Sequence, residues 1–465
     1  MGHGLRLKAI GSLALLAYGM AAQAAATQVA AQTLDLTKQA IALRSVRGPG
    51  NQTPQVAALF KSTLVAGGFP EADVTITPVD DTAYLVARWR GSDPSLKPIL
   101  ISGHMDVVEA KPADWQRDPF TPVVENGYLF GRGASDMKLD VAIAIESLVA
   151  LRRTGFHPRR DIVLALSGDE ETTMKTSRLI TDRFVGAELV INIDGGNGRL
   201  DDQTGKPMFL AWGAAEKTYA DFELSVTNQG GHSSQPRADN AINQLAAALV
   251  RIGAYTFTPE LNEITRGYFA NAARYQDAKT GAAMRRFAAD PADREAIAVL
   301  RANPDMVGKI GTTCVATMIS GGHALNALPQ RATANINCRI FPGHKPAEIM
   351  AELKRVAAEP TVAFRDVTGD DAVASDASRI LPQFTAAIAA AMARSRPGVG
   401  VFPTIDQGAS DSMWFRARGV PSYSASGVFY RESEDFSHGL NERIPTASIG
   451  PAIDYTMVLV TELAK

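Results

Sequence analysis

Three short apolar runs in the first half of the chain each end in side chains that can hold a metal or move a proton. No other feature constrains the fold as much. Pro98-Ile-Leu-Ile-Ser-Gly leads into His104-Met-Asp106, the run 162–166 into Ser167-Gly-Asp169-Glu170-Glu171, and the run 189–193 into Asp194-Gly195-Gly196. Continuous apolar, β-branched runs of this length read as strands covered on both faces. Helical stretches lie between them, so the pattern is α/β with a mostly parallel, doubly covered sheet. In open α/β sheets, ligands gather beyond the carboxyl ends of the strands. Asp136, in Gly131-Arg-Gly-Ala-Ser-Asp136-Met-Lys, directly precedes a helical period of Leu139, Ala142, Ile145, Leu148 and Val149. A single Asp-Glu-Glu is ordinarily a solvated turn, and one His-x-Asp is ordinarily structural. Their joint arrival at strand ends reads as a shared two-metal hydrolytic site.

The alternation of helices and strands extends from Gln32 to Asp194. It includes a helix over 53–66, with Pro54 in its first turn and Gly67-Gly68 as its stop, and strands over 74–79 and 84–90. The character changes at Lys217. A half-buried strand over 219–227 is followed by a helix (240–252), two strands (312–319 and 332–341), a helix (346–357) and a strand (361–365). That order is ferredoxin-like, so residues 217–368 are expected to form a lid inserted into a catalytic domain of 25–216 and 369–465. The Ala- and Arg-rich segment 254–310 has helical stretches but no chemistry that its sequence discloses. A last amphipathic helix begins at Thr446.

At 465 residues the chain exceeds one ordinary core. Its net charge of −2 gives no electrostatic footprint for nucleic acid. Arg6 and Lys8 precede a short apolar core, and Ala22-Gln-Ala24 follows as a small-x-small cleavage site. Residues 1–24 therefore read as a secretory signal peptide, too short to span a bilayer comfortably, and the mature protein as periplasmic or secreted without a membrane span. The two cysteines, Cys314 and Cys338, flank a loop centred near Asn326. They are placed either to bond across a hairpin, which an oxidising compartment permits, or to remain two buried thiols.

Taken in order, His104-x-Asp106, Gly131-Arg-Gly-x-x-Asp136, Asp169-Glu170-Glu171, Asp194, Gly231-His232-Ser-Ser and a late His438 resemble the M20 metallopeptidases. The spelling Gly230-Gly-His232-Ser-Ser-x-Pro236, the Trp115 connector and Asn441-Glu-Arg-Ile-Pro445 are most similar to carboxypeptidase S-like and N-acyl-amino-acid hydrolase members. The resemblance implies a zinc-peptidase-like catalytic domain holding two Zn²⁺ per chain, with Co²⁺ or Mn²⁺ as alternatives. His104 and Asp194 would bind one ion, Glu171 and His438 the other, and Asp136 would bridge them. It further implies Asp106 as the partner that orients the His104 ring and Glu170 as general base. His232 would serve as an oxyanion donor from the lid, often across a dimer interface. Asn326 and Arg339 match family positions that hold the substrate carboxylate, and Ser410 belongs to a loop on the substrate side. A cis peptide is expected after Asp136. The substrate would be a small peptide or N-acyl amino acid with a free carboxylate, and the assembly a homodimer through the lid. An N-carbamoyl-amino-acid hydrolase and a non-catalytic binding protein of the same fold are the other readings.

Overall fold

The computed structural model describes residues 25–370 and 372–465, so the expected signal peptide lies outside the described residues. The elements form where the apolar runs place them. Strand Ile99–His104 is buried at all six positions, and so is Ile162–Ser167. Burying each Val, Leu or Ile side chain of such a strand contributes about 1.5–3 kcal/mol.

These strands form the middle of a ten-stranded sheet. From the outer hairpin Val74–Val79 and Thr82–Trp89, the order runs through Ile162–Ser167, Ile99–His104, Leu189–Asn192 and Ser422–Ser424 to Pro207–Glu216. Gly198–Leu200 and Phe429–Arg431 complete that edge, and Gly400–Asp406 pairs with Pro207–Glu216. Pairing is parallel from Ile162–Ser167 to Ser422–Ser424, between Gly400–Asp406 and Pro207–Glu216, and between Gly198–Leu200 and Phe429–Arg431. It is antiparallel at the outer hairpin, between that hairpin and Ile162–Ser167, and where Pro207–Glu216 meets Ser422–Ser424 and Gly198–Leu200. The sheet is therefore mixed, and its parallel centre is the part the sequence pattern identifies. The outer hairpin is antiparallel because a tight connection joins its strands, the turn at Asp80-Asp81, where Asp80 takes a left-handed φ of 52°.

Both faces are covered. Helices Thr53–Ala66, Lys138–Arg153, Pro382–Ser395 and Ile449–Ala464 share one core with the sheet. Ile180 and Phe415, from Lys175–Arg183 and Ser412–Ala417, close the opposite face over Leu100 and Val163. Among the described residues no helix is long and apolar enough to cross a membrane.

The chain leaves this sheet at Glu216 and builds a second one. Thr313–Gly321, Arg331–Ile340, Thr218–Thr227 and Ala363–Asp366 form an antiparallel sheet in that order. Ala241–Ala254 and Pro346–Ala357 cover one of its faces. Asn240 caps the first of these helices by accepting the Ile242 and Asn243 N–H groups. Cys314 and Cys338 are direct partners in register and form a disulfide, with a sequence separation of 24.

The helical segment inside this excursion packs elsewhere. Tyr268, Phe269, Met284 and Phe287 of Glu263–Ala272 and Ala278–Ala289 join Phe209 and Phe402 of the large sheet in a core of their own. Residues 217–368 thus contain a ferredoxin-like lid and a helical unit seated on the catalytic sheet. At their junction the Lys217 ammonium donates to the Gly311 carbonyl (2.8 Å) and to Thr313 Oγ1 (3.0 Å).

Candidate active site

Register decides what meets at the carboxyl ends of the central strands. His104 stands opposite Ser167, and Ser102 opposite Asn192, so three loops leave one sheet edge side by side. Backbone space matters in the third loop. Gly196 has φ 65°, and a Cβ there would lie 2.0 Å from the Ser424 carbonyl oxygen. Helix Lys138–Arg153 begins one residue beyond the cis peptide Asp136–Met137, which sets Asp136 over the same edge.

Five separated side chains converge there. His104 Nε2 lies 3.1 Å from Asp136 Oδ1 and 4.0 Å from Asp194 Oδ2. His438 Nε2 lies 3.1 Å from Asp136 Oδ2 and 3.0 Å from Glu171 Oε1. One carboxylate therefore stands between two imidazoles, each with a further carboxylate beside it. His104, Asp136 and Glu171 form one grouping with metal-ligand spacing, and His104, Glu170 and Asp194 another.

The electrostatics follow from crowding in a buried space. Burial, with Asp136 and Glu171 nearby, raises the Asp194 carboxyl well above its usual range even though His104 opposes the shift. Burial likewise raises Glu170 well above the ordinary glutamate value. Burial alone would raise Asp136, but hydrogen bonds from His104 and His438 hold it low. His438 rises to about 10 through its hydrogen bonds to Asp136 and Glu171. Carboxylates in excess of cations are the donor set that a divalent metal suits.

Asp106 sits differently from the expectation. The His104 Nδ1 is 3.0 Å from the backbone carbonyl of Asp106 and 3.6 Å from its carboxylate. The carboxylate itself accepts the N–H groups of Glu170 and Glu171, each at 3.1 Å. It orients the ring mainly through its main chain, because the side chain is occupied in fixing the Glu170-Glu171 loop.

The lid residues stand apart from this cluster. His232 lies in the exposed strand Gly231–His232, which pairs with Ala327–Leu328, and its Nδ1 is 2.8 Å from Ser234 Oγ. Asn326 is exposed, and its carbonyl accepts the Ser233 N–H at 3.0 Å. Arg339 lies over the Tyr219 ring at 4.8 Å. None of the three shares a hydrogen bond or ion pair with the five clustered side chains. Ser410 is buried, with its hydroxyl donating to Glu216 Oε2 (2.8 Å) and accepting from Asn192 Nδ2 (3.0 Å). That hydroxyl is engaged by Glu216 and Asn192, while the residue itself stands in the wall of the cleft beside Asp194.

Two features escaped the sequence. Arg132 and Glu442 form a buried ion pair of 2.7 Å beneath the Asp136 loop, 310 positions apart. A cleft of about 790 Å³ also opens beside Asp194, with Tyr268, Asp305, Met306 and Lys309 of the helical unit on its wall. The only signal for the cleft was the helical periodicity of 254–310, which says nothing about where those helices dock.

The chain is 29% identical over 400 residues to the probable carboxypeptidase S-like 2 of Dictyostelium discoideum, covering 82% of this chain and 74% of that protein. It is 28% identical over 429 residues to the human N-fatty-acyl-amino acid synthase/hydrolase PM20D1, covering 86% and 79%. Its fold is similar to that of the M20 family metallo-carboxypeptidase Sso-CP2 from Sulfolobus solfataricus. The TM-score is 0.69 over 93% of this chain and 99% of that one, at 18% identity. Residues 100–462 match the model of peptidase family M20/M25/M40, and the chain belongs to that family.

Proposed function

We propose that this M20 hydrolase is an exported two-zinc enzyme that cleaves the amide bond of peptides or N-acyl amino acids bearing a free carboxylate, in the manner of a carboxypeptidase or dipeptidase. One observation carries the reading: Asp136 offers one oxygen to each of two imidazoles at 3.1 Å, with Asp194 and Glu171 on the outer sides. His104 and Asp194 would hold one ion, Glu171 and His438 the other, and Asp136 both. Two imidazoles and three carboxylates suit zinc and tolerate cobalt or manganese. Bound zinc supplies Lewis acidity toward the amide carbonyl and makes water acidic enough to lose a proton near neutral pH.

The protein's own groups supply the rest. Glu170 is the base: its carboxylate takes the proton from the attacking water and passes it to the leaving amine nitrogen. Asp106 holds Glu170 and Glu171 in place through their N–H groups. His232 donates to the oxyanion, and Arg339 with Asn326 holds the substrate carboxylate, Arg339 bidentately. These three need lid closure or a second chain to reach the cluster. The lid edge strand Thr313–Gly321 supports a second chain, since Val315, Met318 and Ile319 on it are 61%, 71% and 68% exposed. An unpaired apolar edge of this kind favours strand addition by a partner.

The names of the relatives support both a carboxypeptidase and an N-acyl-amino-acid hydrolase. A panel of dipeptides, N-acyl amino acids and N-carbamoyl amino acids, each with free and amidated carboxyl ends, ranks the possibilities. Turnover of free acids and loss of turnover on amidation are expected. Equal rates on amidated substrates exclude the carboxylate clamp. A zinc-bearing protein with no turnover on the whole panel excludes the hydrolase reading in favour of a binding protein.

A further inference from the structure

The Trp115 connector and the Asn441-Glu442 pair have no part in the chemistry above, yet both touch the loops that carry the clustered ligands. Glu442 is fully buried, and its carboxylate receives five donors. Oε1 accepts the Ser135 N–H (2.7 Å), the Ser135 hydroxyl (3.0 Å) and the Asp136 N–H (3.1 Å). Oε2 accepts the Gly133 N–H (3.0 Å) and Arg132 Nη1 (2.7 Å). Arg132 turns its other amine, Nη2, to the carbonyls of His438 and Gly439, each at 3.3 Å. Its guanidinium lies over the Trp115 ring at 5.1 Å, and Asn441 Oδ1 accepts the Gln116 N–H at 2.9 Å.

The His438 loop has need of such support. The His438 side chain is 54% exposed, and its backbone takes a φ of 61° in the left-handed region, as does Asn441 at 56°. Non-glycine residues adopt that region at a cost and stay there when surrounding contacts over-determine it. His104, by contrast, is 1% exposed at the end of a paired strand. The two imidazoles that meet Asp136 are therefore held by different means.

We propose that the Arg132–Glu442 pair is a positioning device for the His438 half of the metal site. It fixes the Asp136 loop and the His438 loop at the separation where both imidazoles reach one carboxylate, and affinity for the second cation depends on it. The inference rests on the two-metal reading. Groups that orient metal ligands from outside typically change affinity about 10–100-fold when removed.

The test uses full-length protein stripped of metal and titrated with zinc alone, with thermal unfolding of the metal-free forms in parallel. Glu442→Gln keeps the shape but turns an amide NH₂ toward a ring of donors in which the Ser135 hydroxyl alone can also accept. Arg132→Lys keeps the buried charge pair and loses the reach to the His438 and Gly439 carbonyls. Wild type is expected to bind two equivalents. Both variants should bind the first with near wild-type affinity and the second about 10–100-fold more weakly, and excess zinc should restore kcat with little change in KM. Equal weakening of both equivalents, or wild-type affinity for both in a folded variant, overturns the proposal. Should Glu442→Gln fail to fold, Arg132→Lys decides on the same criteria. A wild type that takes up fewer than two equivalents refutes the two-metal reading itself.

Discussion

The catalytic sheet and the lid present their candidate residues in opposite ways. His104, Asp106 and Glu170 are buried at the ends of parallel strands and already touch their partners. His232 and Asn326 are exposed on the lid, and their bonds run within and between two neighbouring lid loops. Strand register places the first group within one folding unit, so that half of the site is assembled as soon as the sheet forms. On the proposed function, the second group would act only when lid and sheet approach, or when a second copy of the chain does. The contrast separates residues whose loss removes chemistry from residues whose loss removes completion of the site.

The sharpest test of that division is Glu170→Gln. It should lower kcat by about 10²–10⁴ while zinc content stays at the wild-type level, measured by steady-state kinetics beside metal analysis. Loss of metal in that variant would move Glu170 from the proton-transfer role into the ligand set. Next, His232→Ala should lower kcat about 10²–10³-fold. Mixing it with Glu170→Ala chains should restore some activity if the lid serves a partner's cluster. No recovery in verified heterodimers would assign His232 to its own chain.

Smaller effects probe the lid and the junction. Replacing Cys314 and Cys338 by serine opens a cross-link that spans 24 positions and should cost about 3 kcal/mol of stability, read as a lower midpoint in denaturant. In the folded double variant kcat should change little, because the disulfide touches none of the five clustered side chains. At the cleft, Asp305→Ala should shift KM a few-fold with kcat held, if the helical wall contacts substrate and takes no part in the chemistry.

A further effect is the pH dependence of stability at the junction. Burial, helped by Arg339 and Lys309, lowers the Lys217 pKa to about 7. Between that value and the unfolded lysine value of about 10.4, the native state binds fewer protons than the unfolded one. The contribution of Lys217 to stability therefore improves as pH rises through that window, and its full cost is present below pH 7. Lys217→Met should accordingly gain stability relative to wild type as pH falls from about 10 to 7, measured by denaturant unfolding at several pH values.

Much of the catalytic side was legible because strands buried on both faces must be continuously apolar, and their polar ends then stand out. The strands at 74–79 and 99–102 and the helices at 53–66 and 346–357 follow from periodicity and stops such as Gly67-Gly68, the second strand running on to His104 in the structure. Gly400–Asp406 and Pro207–Glu216 did not stand out, since Pro403 and Gly213 interrupt them. The segment 254–310 read as helical, but amphipathic periodicity names the buried face and is silent about what covers it. Ser410 was legible only in part for a related reason: its loop does reach the cleft wall, but local sequence does not reveal that Glu216 and Asn192 engage its hydroxyl.

The sequence alone determined the parallel centre of the sheet, the ferredoxin-like order of the lid and the residue types that meet at the strand ends. Those follow from local periodicity and from the rule that strand carboxyl ends share one edge. Only the tertiary structure decided that Cys314 and Cys338 are bonded, that helices 263–310 wall a cleft beside Asp194, and that Arg132 and Glu442 join loops 310 positions apart. Each of these depends on distances between segments far apart along the chain, which packing fixes and local pattern does not encode.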